Sequence, residues 1–267
     1  MTPAALPIEI TDPADPRLDD FRDLTSADRR PDRPGGRGLV IAEGVVVVRR
    51  LLASRYPARA LLGVERRYDQ LAGDLAGTEA PFYVTSAETM ASVVGFHLNR
   101  GVLATADRVA FPSATELVQN TRTVAVLEGV GDHENLGALF RNAAALGVDA
   151  VLLAQGCADP LYRRSVRVSM GTVLSVPFAP LVGVIDGIDM LRSNGFQVVA
   201  LSPGGDTPLR EAPWADRVAI LAGAEGPGLT DAALARADLR VRIPMSNEVD
   251  SLNVATAAAI AFAAVVR

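Results

Sequence analysis

Gly223-Ala224-Glu225-Gly226-Pro227-Gly228-Leu229 follows the apolar run Val218 to Leu221 and is too rich in glycine for the interior of a helix or strand. Glycine lets the backbone approach a ligand closely and present its N–H and C=O groups, and an adenine edge can be read by such groups alone. Glu225 is an odd choice for a plain turn; a carboxylate there suits a cationic ligand or an arginine partner. Downstream, Ile243-Pro244-Met245 closes another apolar run, and Ser251-Leu252-Asn253-Val254-Ala255 opens an apolar helix. Upstream lies Asn135-Leu136-Gly137-Ala138-Leu139-Phe140-Arg141. In this order the segments outline a pocket built from loops, with one cation, one carboxylate and small polar side chains turned inward. That is a site for an adenine-bearing cofactor and a charged substrate.

Around these segments, strand and helix patterns alternate. Strands are expected at 123–127, 150–153, 197–201, 218–221 and 239–243, and helices at 135–146, 184–193, 231–235 and 251–267, with 162–168 helical or irregular. Continuous apolar strands mark a buried parallel sheet, and open α/β sheets bind ligands beyond the carboxyl ends of their strands. Three loops fall there: Glu128 to Glu134, Gly223 to Gly228, and Pro244 to Asp250. The first lacks G-x-G-x-x-G spacing and a Walker lysine, and Glu128, Asp132 and Glu134 would repel a pyrophosphate, which disfavours a Rossmann-type nucleotide enzyme.

The first half reads as a second, smaller α/β unit. Residues 1–37 form an extension rich in Pro, Asp, Arg and Gly. Within it Pro13 to Leu24 is expected as a short helix capped near Thr11 or Asp12, and Asp28 to Gly38 as a mobile loop. Strands at 39–41, 60–64, 82–84 and 101–105 then alternate with helices at 43–54, 68–75 and 86–93, Ser86 serving as a cap. The small domain spans 38–107, a linker containing Phe111-Pro112-Ser113 spans 108–121, and the larger domain spans 122–267.

The chain has 267 residues and a net charge of −5, a balance that argues against a nucleic-acid partner. Arg49, Arg50, Arg55, Arg59, Arg66 and Arg67 nevertheless cluster against a single acid, Glu65. Screening confines each charge to roughly 8 Å, so this patch is either a phosphate-binding surface or a solvated helix face. Cys157 is the only cysteine, which leaves no internal disulfide and fits a reducing, cytoplasmic location. No signal peptide is legible, and the apolar stretch 252–266 is shorter than a membrane span.

Several side chains have two readings. Asn135 and Ser251 are each a helix cap or a site residue. Arg141 sits among apolar neighbours and needs a partner, either a carboxylate such as Glu128 or a substrate phosphate. His97 and His133 show no metal-ligand spacing, no metal site is expected, and no Ser-His-Asp arrangement is legible.

Taken together, Asn135-x-Gly137-x-x-x-Arg141, Gly223 to Leu229, and Ile243-Pro244-Met245 through Ser251-Leu252-Asn253-Val254 resemble the three motifs of the SpoU/TrmH family of RNA 2′-O-ribose methyltransferases, within the SPOUT superfamily. Asp159-Pro160-Leu161 through Arg167-x-Ser169-x-Gly171 matches as well. The resemblance covers residues 122–267 and extends weakly to 38–107, where Glu43-Gly44 before a helix is similar to the ribosomal-protein-like substrate-binding domain. Asn142 and Thr256 depart from the small residues usual in the family.

The resemblance implies S-adenosylmethionine as methyl donor, a trefoil-knotted α/β domain, and a homodimer with the site at its interface. The knot rests on the resemblance alone, because ordinary chain connections do not knot. Gly223, Ala224, Glu225, Gly228, Ile243, Met245 and Leu252 would bind the cofactor. Arg141 would act at the ribose hydroxyl, with Asn135, Glu225, Ser251 and Asn253 completing the site. The RNA, a tRNA or an rRNA, would be chosen by the small domain through Arg49 and Arg50, with Arg163, Arg164 and Arg167. A guanidinium keeps its proton, so Arg141 is expected to stabilise a developing alkoxide rather than serve as a base. The alternative is a non-catalytic RNA-binding protein that retains the fold.

Overall fold

A computed structural model describes residues 7–24, 38–246 and 250–265. The chain divides into two compact units, residues 1–109 with 161–175, and residues 110–160 with 176–267.

In the first unit the elements are β1 (Pro7–Glu9), β2 (Val40–Glu43), α1 (Val45–Leu52), β3 (Ala58–Gly63), α2 (Glu65–Leu71), β4 (Phe82–Val84), α3 (Ala87–Val94) and β5 (Val102–Ala106). The sheet order is β1-β4-β3-β5-β2, parallel at β1–β4 and β3–β4 and antiparallel around β5. Ser86 caps α3 through the amide of Thr89. The expected helix at 13–24 is a 3-10 helix, Pro16–Phe21, and its cap is Asp15, whose carboxylate accepts from the Arg17 amide. Asp15 takes that role because Pro16, which lacks an N–H, follows it directly. Leu18 and Phe21 are fully buried and join Ile10, Leu62, Val93 and Leu103 in this unit's core. The loop expected at 28–38 lies outside the described residues except for Gly38.

Next come α4 (Ala114–Val118), β6 (Thr123–Glu128), α5 (His133–Ala145), β7 (Ala150–Leu153), α6 (Arg163–Val168), β8 (Phe178–Pro180), α7 (Val184–Ser193), β9 (Gln197–Leu201), β10 (Thr207–Pro208), β11 (Val218–Gly223), α8 (Asp231–Arg236), β12 (Leu239–Arg242) and α9 (Val254–Val265). Of these, α6 belongs to the first unit. The second unit carries seven strands in the order β10-β12-β9-β11-β6-β7-β8, every pair parallel. β6 and β11 are buried along their whole length at the centre, as the apolar runs Val124–Leu127 and Val218–Ala222 require. Val126, Leu152, Ile188, Val198 and Leu221 contribute to the core beneath the helices.

The helices expected at 43–54 and 68–75 are Val45–Leu52 and Glu65–Leu71, and two further helix starts, at the candidate site, also differ from expectation. α5 begins at His133, and Asp132, not Asn135, caps it by accepting from the amides of Glu134 and Asn135. A carboxylate opposite the positive end of the helix is the stronger acceptor, and Asn135 is left with its side chain uncommitted to the cap. α9 begins at Val254, and Asn253 caps it by accepting from the amides of Ala255 and Thr256. Ser251 stands clear of the helix.

Candidate functional site

The parallel sheet brings the carboxyl ends of β6, β9, β11 and β12 to one edge. There the chain forms a cavity of about 210 Å³ with a mainly apolar wall. It gathers Gly223, Ala224, Glu225, Gly228, Ile243, Met245, Ser251, Leu252 and Asn253, nine of the residues expected from sequence. Leu201, Ser202 and Pro203 also line it and were not anticipated. Their signal was available, because Ser-Pro-Gly-Gly follows an apolar strand whose carboxyl end must face the same edge.

The glycine turn has a tight internal geometry. Ala224 and Gly228 form a β-bridge, the Gly228 amide donating to the Ala224 carbonyl at 2.9 Å. Gly226 and Gly228 have φ of 88° and 73°, in the left-handed region that side chains disfavour. A Cβ on Gly223 would lie 2.1 Å from the Gly228 carbonyl carbon. Only glycine there lets the turn fold back onto the end of β11 and expose its backbone to the cavity.

At the rim, three polar side chains from three motifs meet. The Asn135 amide donates to Glu225 Oε2 at 2.9 Å. The Asn253 amide donates to Asn135 Oδ1 at 2.7 Å and, more weakly, to Glu225 Oε1 at 3.4 Å. Because Asn253 Oδ1 is occupied by the cap of α9, its amide nitrogen is forced toward Asn135 and the carboxylate. The Asn142 amide donates to the Ala255 carbonyl at 2.8 Å, tying α5 to the first turn of α9. This gives the unusual Asn142 a structural reason.

Glu128 is buried and accepts two hydrogen bonds of 3.0 Å, from the Thr230 amide and hydroxyl. It is therefore not the partner of Arg141. Arg141 is exposed on α5, makes no ion pair or hydrogen bond among the described residues, and does not line the cavity. Six residues along a helix place it on a different face from Asn135.

Of the arginines assigned to RNA, Arg49 pairs with Asp74 at 2.7 Å and Arg50 donates to the Met170 carbonyl at 2.6 Å. Arg163 lies 4.7 Å from the Phe96 ring centroid and 3.7 Å from Glu43; burial pushes its pKa down, and Glu43 opposes the shift. Arg164 is exposed and Arg167 is half-buried. Among the described residues no group of three His, Cys, Asp or Glu is placed to hold a metal, and no helix is long and apolar enough to cross a membrane.

An all-parallel α/β sheet with a crevice at its strand ends, a glycine turn and a clustered carboxylate and amides defines a ligand-binding domain of the kind that holds a nucleoside-bearing group. The chain belongs to the SpoU rRNA methylase family, whose model matches residues 122–263. It is 60% identical over 258 residues to an uncharacterized tRNA/rRNA methyltransferase of Mycobacterium tuberculosis, a match covering 95% of this chain and 90% of the relative. The crystal structure of an AdoMet-bound rRNA methyltransferase from Sinorhizobium meliloti superposes with a TM-score of 0.81 at 25% identity, covering 97% of each chain. That of an RNA 2′-O ribose methyltransferase superposes with a TM-score of 0.76 at 26% identity, covering 96% of this chain and 97% of the other.

Proposed function

We propose that this chain transfers a methyl group from S-adenosylmethionine to a ribose 2′-hydroxyl of structured RNA, a tRNA or an rRNA. The observation that carries the reading is the convergence of Asn135, Glu225 and Asn253 at the rim of the apolar cavity. The cavity suits the donor: its apolar wall and exposed backbone accept a purine, and Glu225 suits a cationic group. Bound there, S-adenosylmethionine supplies a methyl carbon made electrophilic by its sulfonium. The Gly223–Gly228 turn, Ile243, Met245 and Leu252, which line the cavity, would hold the cofactor. Asn135 and Asn253 fix the Glu225 carboxylate, and Ser251 borders the entry for the ribose. Arg141 would hold the target phosphate and stabilise the developing alkoxide, the hydroxyl proton passing to water or phosphate while the sulfonium gives up its methyl group.

Arg141 reaches the site from a second copy of the chain. α9 is apolar except for Thr256 yet leaves Ile260 40% exposed, and so apolar a helix calls for cover on nearly every side. A homodimer packed on this face covers it and delivers the Arg141 of one subunit to the cavity of the other. The trefoil knot, the cytoplasmic location and the substrate-selecting role of the small domain belong to the same proposal. The acidic net charge does not oppose it, because local arginines set the field at a contact surface. The rim cluster disfavours a purely RNA-binding protein, which has no need of it. Calorimetric titration with S-adenosylhomocysteine tests the reading: binding that is lost in Gly223→Ala supports it, and absence of binding to the unaltered chain sinks it.

A further inference from the structure

A second cavity, of about 300 Å³, lies wholly within the first unit, bordered by Glu43, Val46, Arg67, Arg100 and Met170. Its composition is unusual. Glu43 is 7% exposed, and its Oε2 is buried without a hydrogen-bond partner. Arg163 at 3.7 Å and Arg100 at 4.0 Å balance its charge without reaching hydrogen-bond distance. Arg163 Nη1, the atom 3.7 Å away, is likewise buried without a hydrogen-bond partner, so the pair satisfies neither group and the carboxylate still calls for a donor. Val46 is a large apolar side chain left 46% exposed at the cavity wall.

Met170 adds an independent sign. Its φ is 54°, a left-handed conformation costly for a side-chain-bearing residue. Arg50 holds it there through the Met170 carbonyl, and the following Gly171 is packed against Val47 so closely that a Cβ would lie 3.1 Å from it. Strain of this kind persists where the surroundings enforce it, and it gathers at ligand sites. Two glycines give the arginines their positions. A Cβ on Gly44 would come within 2.9 Å of Arg100 Cδ, and one on Gly101 within 3.4 Å of Arg67 Nε.

We infer that this cavity receives an unpaired guanine of the RNA. Val46 and Met170 offer apolar contact to the face of a base. Arg67 and Arg100 supply the charge for its flanking phosphates. The Glu43 carboxylate accepts from the N1–H and N2–H edge, which guanine alone among the four bases presents as adjacent donors. Adenine offers N1 as an acceptor on that edge and meets the carboxylate with repulsion. The inference rests on the proposal that the chain acts on RNA, and it assigns substrate selection to Glu43, with Arg163 balancing its charge, rather than to Arg49 and Arg50, which are engaged with Asp74 and the Met170 carbonyl.

Fluorescence anisotropy with labelled single-stranded UUUGUUU, UUUAUUU and the inosine counterpart, on the full chain, tests it. The guanine oligonucleotide is expected to bind at least about tenfold more tightly than the adenine one, with inosine, which lacks the N2 donor, between them. Glu43→Gln reduces guanine to the level of adenine. Val46→Trp, which obstructs the cavity from an exposed position and leaves the Glu43 ion pairs in place, does the same. Equal or undetectable binding of guanine and adenine by the unaltered chain, or a preference that survives both substitutions, overturns the inference. Loss of stability in Glu43→Gln with the preference retained shows a merely structural carboxylate and overturns it too. S-adenosylhomocysteine titration reads the other unit: its failure counts against the proposed methyl transfer and leaves this pocket standing.

Discussion

Asn253 carries two duties that substitution can separate. Asn253→Ala removes the cap of α9, costing about 1 kcal/mol, and also removes the amide that orients Asn135 and Glu225. Asn253→Asp restores the cap acceptor but sets a carboxylate against Glu225. Thermal unfolding should therefore show the alanine variant destabilised and the aspartate variant close to the unaltered chain, while methyl transfer falls roughly a hundredfold in both. Equal activity in the aspartate variant would limit Asn253 to the cap. Gly223→Ala must open the glycine turn, a strain of about 1–3 kcal/mol that should weaken S-adenosylhomocysteine ten- to a hundredfold in calorimetry. At this scale the sequence made most of the cavity lining legible, because the glycine turn and the short polar side chains follow apolar strands whose carboxyl ends share one edge of the sheet. It did not make the pairing legible. Asp132 displaces Asn135 from the cap and Thr230 claims Glu128, outcomes that depend on which acceptor in the first case and which donor in the second the fold places nearest.

The strongest elements were readable from pattern alone, β6 and β11 as continuous apolar runs and α5 and α7 as amphipathic helices. β1, β8 and β10 were not, since two or three residues carry no periodicity. α4 went unseen inside a segment that reads as linker, although Ser113 and Glu116 form a capping box there. Helix packing at the sheet adds a charge that titrates. Arg236 on α8 donates twice to Asp189 on α7, at 2.8 and 2.7 Å, and these bonds lower the Asp189 pKa, with desolvation opposing them. A carboxylate with a depressed folded pKa stabilises the fold above its unfolded pKa and loses that contribution as pH falls through the folded value. Denaturant midpoints of Asp189→Asn should lie below those of the unaltered chain at pH 7 and converge with them in acid, below the ordinary carboxylate range. High salt should shrink the gap at pH 7. A gap that persists unchanged into acid would mean that the pair contributes through packing and not charge.

At the scale of the molecule, the account requires two copies. Arg141 lies off the cavity of its own chain, and α9 leaves Ile260 exposed. Ile260→Glu should shift the sedimentation coefficient to that of a monomer and abolish transfer while leaving helix content intact. Arg141→Ala and Asn253→Asp, each inactive alone, should recover about a quarter of full activity when unfolded together and refolded as a mixture, because half the dimers then hold one intact site. No recovery would place Arg141 and the pocket in the same subunit. The sequence pointed to assembly only through resemblance; the exposed Ile260 on α9 is the feature of the structure from which the proposed dimer is argued.

The most direct measurement gives the chain S-adenosylmethionine with a tritiated methyl group and total RNA from a strain lacking the protein, then hydrolyses the RNA in alkali. A ribose 2′-O-methyl group removes the neighbouring nucleophile and leaves the adjoining phosphodiester intact. The account predicts that the label is recovered in alkali-resistant dinucleotides and is absent with Gly223→Ala. Label confined to mononucleotides, and hence on a base, or no label in the RNA at all, contradicts it.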